Sequence, residues 1–234
     1  MATQAEAAIA KVAHEMTTEY AGPALARLAE LREREKALYE EEHGLNTFDG
    51  APSDRAVPPG IAEERAALVR RVANAAEAAR QTAVPHARAT LAALNTARLA
   101  HMGADLQKAA VLAQTTAPDL LVQQAADLAA TDPAEAATRA TAAKLTGKVK
   151  PSTLDAMSRA VEDALDLAVP ERASALEAHR AAMAALTELT RAAAEAEMQA
   201  NAAAGDRQAA AVGSIALKLA GRTAEAVGAR EVAP

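Results

Sequence analysis

The sequence predicts an all-α fold, an elongated bundle of long, coiled-coil-like helices with a small globular helical subdomain inserted. Three observations carry this expectation. Alanine occupies 71 of the 234 positions, and it is the best helix former because fixing it costs no side-chain entropy. Leu, Ile, Val and Phe together number only 40, about 17% of the chain against the ~20% below which disorder becomes a competing expectation. Disorder also needs high net charge, and a formal charge of −6 spread over interspersed acids and bases is modest. Finally, the 10 glycines and 10 prolines fall between stripes of apolar residues at helical spacing and act as helix ends.

Thr3 and Glu6 form a capping box that opens a first helix running to about Tyr20. Gly22 and Pro23 are expected to interrupt it. A second helix from about Pro23 carries Leu25, Leu28, Leu31 and Leu38 among dense charge and stops at Gly44. The stretch GLNTFDGAPSDRAVPPG is too rich in glycine and proline for a helix, and is longer than the usual ~12–15-residue limit for a structureless connection.

A long helix resumes at Ile61, with Ile61, Leu68, Val72, Ala75, Ala79 and Ala83 on one stripe. This stripe tapers from large to small, so a neighbouring backbone approaches more closely toward residue 83. Pro85 removes a backbone donor and is expected to kink or restart the helix, which continues through Leu91, Leu94 and Met102 to Gly103. Four shorter helices follow, at 104–115, 118–130, 133–146 and 152–168. Asp132 as N-cap, Pro133 at the first helical position and Glu135 write one start, and Ser152 with Asp155 after Pro151 writes another.

After Pro170 the chain runs to Ala204 without Gly or Pro, a helix about 52 Å long at ~1.5 Å per residue. Leu176, Met183 and Thr190 repeat every seven residues, with His179, Leu186 and Ala193 between them, a short, weak coiled-coil seam. Val212, Ile215 and Leu219 give a last amphipathic helix beyond Gly205. The chain thus divides into an N-terminal helical hairpin (1–43), a Pro/Gly-rich loop (44–60), a long kinked helix (61–102), a compact multi-helix subdomain (104–168), a long helix (170–204) and a C-terminal amphipathic helix and tail (206–234).

Chemistry is sparse. No cysteine is present, which removes disulfides, thiolate metal sites and cysteine nucleophiles. A carboxylate di-metal bundle needs two Glu-x-x-His units, and the chain has one, Glu40 with His43, at a helix end where a histidine is favoured by the dipole. The five histidines, His14, His43, His86, His101 and His179, lack ligand spacing. Phosphate-binding glycine motifs and Gly-x-Ser-x-Gly are missing, so no catalytic, cofactor or metal residue is expected.

The basic cluster of Lys144, Lys148 and Lys150 is too small to track a phosphate backbone, and no nucleic-acid partner is expected. No run reaches the ~18–20 apolar residues that span a bilayer, and the N-terminus lacks a signal-peptide pattern. The expectation is a chain in the cytoplasm or within an assembled particle.

Only three aromatic residues occur, Tyr20, Tyr39 and Phe48. Interfaces draw their energy from a few aromatic and arginine anchors, so these three, with Val212, Ile215 and Leu219, are the candidate partner contacts. For Tyr20 and Tyr39 the plainer expectation is packing of the N-terminal helices onto the rest of the chain. A thin core gains stability by burying surface against copies of itself or other proteins. The leading function is a non-enzymatic structural subunit of a homo- or hetero-oligomeric complex, such as a bacteriophage connector, accessory, scaffolding or internal protein. The alternative, an amphipathic-helix binder of granule or lipid surfaces, wants bulkier apolar faces than alanine gives. A carboxylate-metal enzyme is the third class, and the weakest.

Overall fold

The structure, a computed structural model, describes residues 3–43 and 59–205. The expectations for Phe48 and most of the 44–60 loop, and for Val212, Ile215, Leu219 and the 206–234 helix and tail, lie outside these residues. The described residues are 90% helical with no strand, and the fold is all-α. No helix among them is long and apolar enough to cross a membrane.

Helix α1 (Gln4–Glu15) opens on the capping box, with Glu6 N–H on the Thr3 hydroxyl at 3.1 Å and Thr3 N–H on the Glu6 carboxylate at 3.1 Å. At Gly22 and Pro23 the chain does not break. It passes through a π-helical turn (Met16–Ala21) into α2 (Gly22–His43). Pro23 has no N–H for the Glu19 carbonyl, and its ring would press on that carbonyl in an α-helix. Widening the turn relieves both problems, and Gly22 N–H donates five residues back to Thr17 O. A Cβ at residue 22 would stand 3.0 Å from that oxygen, so glycine permits the approach. The Thr17 and Thr18 hydroxyls occupy the His14 carbonyl at 3.0 and 2.7 Å.

Helix α3 (Pro59–Ala100) runs through Pro85 without restarting. Pro85 faces outward beside exposed Gln81, so water can reach the carbonyl whose partner the proline removes. Helices α4 (Leu106–Thr115), α5 (Pro118–Leu128), α6 (Pro133–Thr146) and α7 (Pro151–Ala168) are short, and α8 (Pro170–Ala203) is long. Asp132 caps α6 through Glu135 N–H at 3.0 Å, with Pro133 in the first turn. At α7 the expected Ser152 cap is not used. Pro151 forces the preceding Lys150 into an extended conformation, φ −61° and ψ 137°, and Lys150 becomes the N-cap.

The chain divides into two compact units, one of Met1–Arg88 with Ala181–Pro234 and one of Ala89–Arg180. In the first, the large-to-small taper on α3 is present. Val72 packs with Leu28 of α2 and with Ala196 and Ala200 of α8. Further along, Ala76, Ala79, Ala83 and Ala87 meet Ile9, Met16, Ala182, Leu189 and Ala193. Arg65 reaches Ala204 O at 3.1 Å and Arg80 reaches Glu197 at 2.6 Å, so α3 and α8 are antiparallel here.

The seam on α8 differs from the expected one by a residue in one of its two rows. Leu186 and Ala193 face inward, but the other row is Ala182, Leu189 and Ala196, while Met183 is exposed and Thr190 half-buried. Four alanines of α3 form the opposing surface, and Ala182 allows an approach that Met183 would prevent.

In the second unit, α6 packs against α4, α5 and α7. Six of its residues are buried, Ala136, Ala137, Thr138, Ala140, Ala142 and Ala143. Surrounding helices supply the bulk, with Leu121, Met157, Val161 and Leu165 closing over this alanine helix.

Candidate functional site

The buried positions along the N-terminal helices are Ile9, Met16, Ala21, Ala24, Leu28 and Leu31. Spacings of three, four or seven are those of an α-helical stripe. The step from Met16 to Ala21 is five, and it coincides with the π-helical turn. Without the extra residue, position 20 would follow Met16 on the buried stripe. The widened turn skips it, and Tyr20 stands outward, 48% exposed. This register change leaves Tyr20 half-exposed beside α3.

Tyr20 forms one wall of an open groove of about 580 Å³, completed by Ala67, Arg70, Arg71, Asn74 and Ala75 of α3. The two alanines form an apolar floor and the two arginines a cationic rim. Three other arginines of α2 and α3 have carboxylate partners. Arg27 pairs with Glu30 and Glu64 at 2.8 and 2.7 Å, Arg80 with Glu77 and Glu197, and buried Arg65 with Glu35. The hydrogen bonds that Arg27 donates to Glu64 and Glu30 raise its pKa, and Arg27 in turn lowers that of Glu64. Arg70 and Arg71 are exposed, and neither is ion-paired among the described residues; Arg70 Nε donates to Ala66 O at 3.2 Å. A groove of this kind can take an apolar side chain flanked by carboxylates.

Of the two candidate contacts among the described residues, Tyr20 and Tyr39, Tyr20 lines this groove. Tyr39 is half-buried near the end of α2. Arg70, Arg71 and Asn74 were not among the candidates. Their signal in the sequence is an Arg-Arg pair with its nearest acids, Glu64 and Glu77, six residues away on either side.

A second charged group is structural. Arg172, 0% exposed, donates from Nε to Asp166 Oδ1 at 2.8 Å and from Nη1 to His101 O at 2.7 Å, and its Nη2 pairs with Glu162. Arg98 adds Nη2 to Asp166 Oδ2 at 2.5 Å. Burial of Asp166, 1% exposed, pushes its carboxyl pKa up, but the hydrogen bonds from Arg98 and Arg172 outweigh this and hold it below the ordinary carboxylate range. The same bond raises the Arg98 pKa. With every guanidinium edge of Arg172 occupied, the cluster ties the ends of α3 and α7 to the start of α8.

The described residues contain no group of three or more His, Asp or Glu placed to hold a metal; the side chain of His43, half of the Glu40–His43 pair, lies outside them. The two units also place large apolar side chains outside. Leu91, Leu99, Met102, Leu106, Val111, Leu120, Leu145 and Leu167, all in the second unit, are each more than 40% exposed. Leu145 lines a second open groove of about 460 Å³ with Ala110, Ala113, Gln114, Thr116, Pro118, Thr146 and Lys148. No protein-family model, curated protein or solved structure matches the chain.

Proposed function

We propose that this chain is a non-enzymatic structural subunit that self-associates into a larger assembly. One observation carries the reading. Among the described residues twelve large apolar side chains are buried, and eleven are 40% or more exposed. Scattered exposed leucines are ordinary, but near parity with the core is not, and burial against another protein surface is the remedy that physical chemistry supplies. The alanine interior supports the same reading. An alanine methyl contributes about 0.8 kcal/mol on burial against about 1.5–3 for leucine or valine, so the core alone leaves the chain dependent on further burial. A place in a virion, as connector, accessory, scaffolding or internal protein, is the narrower form of this proposal and rests on composition.

Light scattering coupled to size exclusion, over a hundredfold range of concentration, tests it. The wild-type chain is expected to exceed its 24.0 kDa monomer mass, and L99S/M102S to shift toward monomer with helical ellipticity unchanged. A compact monomer at every concentration overturns the proposal.

A further inference from the structure

We propose that the Tyr20 groove receives the acidic C-terminal turn of α2 from a second copy of this chain, with Leu38 on the Ala67–Ala75 floor and Glu41 on the Arg70–Arg71 rim. The inference rests on the self-association proposed above and names the surfaces that meet. Three independent observations converge on it.

The groove asks for carboxylates. Its two arginines are exposed without an acidic partner among the described residues, while Arg27, Arg65 and Arg80 of α2 and α3 all have one. The α2 end asks for cations. Glu40 and Glu41 fall near the C-terminal end of the helix, at the negative end of the macrodipole, where acids are disfavoured and a cation from outside is welcome. Leu38, 40% exposed, and exposed Glu41 lie three residues apart and therefore on one face. This is the apolar-plus-acid pattern the groove fits.

The end of α2 cannot reach the groove of its own copy. Tyr20 precedes α2 and Glu41 lies near its far end, about 30 Å away along the helix at ~1.5 Å per residue. A second copy removes that separation. The π-helical turn gives the surface its aromatic anchor, because Tyr20 points outward only through the five-residue step from Met16 to Ala21. Groove and acidic turn are different surfaces, so the contact is heterologous. Repeated head to tail, it closes into a ring or continues as a filament. Net charge of −6 favours a protein partner over nucleic acid as the occupant.

Charge reversal on the full chain tests the pairing by sedimentation and light scattering. R70E/R71E and E41K each replace exposed helix residues, and each is expected to raise the midpoint concentration of self-association at least tenfold. An equimolar mixture of the two variants is expected to restore assembly, since every contact then pairs opposite charges, as is the chain carrying all three changes. Circular dichroism checks that each variant keeps its helicity. Loss of assembly in both variants without rescue on mixing overturns the pairing. If neither reversal alters assembly while L99S/M102S abolishes it, the pairing is wrong and the assembly reading stands. A wild-type monomer at all concentrations removes both. Binding of a single-stranded oligonucleotide by the wild type, lost in R70E/R71E while self-association is unaffected, reassigns the groove to nucleic acid.

Discussion

Replacing Asp166 with alanine removes the shared acceptor of two guanidinium groups. In the folded chain its Oδ1 accepts from Arg172 at 2.8 Å and its Oδ2 from Arg98 at 2.5 Å. Arg172 is 0% exposed and cannot turn to water. Breaking a buried ion pair by removing one partner costs about 3–5 kcal/mol. The low end applies, because Glu162 and the His101 carbonyl remain on Arg172 and Arg98 is 36% exposed and can rehydrate. A loss of about 3 kcal/mol is about two decades in the folding equilibrium at ~1.4 kcal/mol per decade. At ~2–4 °C per kcal/mol for a chain of this size, the unfolding midpoint falls by about 6–12 °C. Helical ellipticity during urea titration and heating reads this, and hydrogen exchange should show the loss on α7 and the start of α8. Removing both charges as Asp166→Leu with Arg172→Met should recover more than half the loss, because no buried charge is then left unpaired. A fall below about 1 kcal/mol for Asp166→Ala, far under the ~3–5 kcal/mol of a broken buried pair, would refute the cluster as a structural tie.

Three further outcomes follow from the same geometry. Because the Asp166 carboxyl titrates lower folded than unfolded, its contribution is complete above the unfolded value of ~3.9 and is lost as pH falls through the folded value; an acid titration of wild type against Asp166→Asn should show the two stability curves converging only at the acid end. Ala83→Leu overfills the contact with Ile9, Ala182 and Leu189, and a loss of about 1–3 kcal/mol is expected by urea unfolding; a neutral result would mean the helices can separate at no cost. Gly103→Ala places a Cβ 2.9 Å from Leu165 Cδ2 at a backbone φ of +72°, so the midpoint should fall by an amount reflecting about 1–3 kcal/mol of strain, and an unchanged melting curve would argue against that backbone conformation.

Helix ends were legible where the signal is local. Thr3 with Glu6, and Asp132 with Pro133 and Glu135, satisfy backbone donors within one turn, and the structure uses both. The nearby Ser152 signal failed because Pro151 acts on the residue before it and moves the cap to Lys150. Gly22–Pro23 reads as a break, yet one extra residue in the turn accommodates it, and only the buried stripe of both flanking helices reveals that choice. The α8 seam was half legible, since Leu186 and Ala193 lie on it, but whether Ala182 or Met183 faces inward depends on the alanines of another helix.

The candidate site was legible as far as Tyr20. Its arginine rim comes from a helix about fifty residues away in sequence, and no local pattern joins them. The Arg98–Asp166–Arg172 cluster was hidden for the same reason: Arg98 reaches Asp166 across 68 positions.

An interior lined with seventeen buried alanines among the described residues reverses the usual map of mutational tolerance. In most globular proteins the large core residues are the fragile sites and small ones absorb change. Here enlarging a buried alanine forces helices apart along their length, whereas the outward leucines can be trimmed without disturbing the monomer. A saturation library scored for folding would mark Ala76, Ala83, Ala142 and Ala193 as its most restrictive columns and leave Leu99 and Leu167 permissive. Scored for assembly, the same library would restore the cost at those leucines, so comparing the two screens would separate residues that shape the subunit from those that join it to its neighbours.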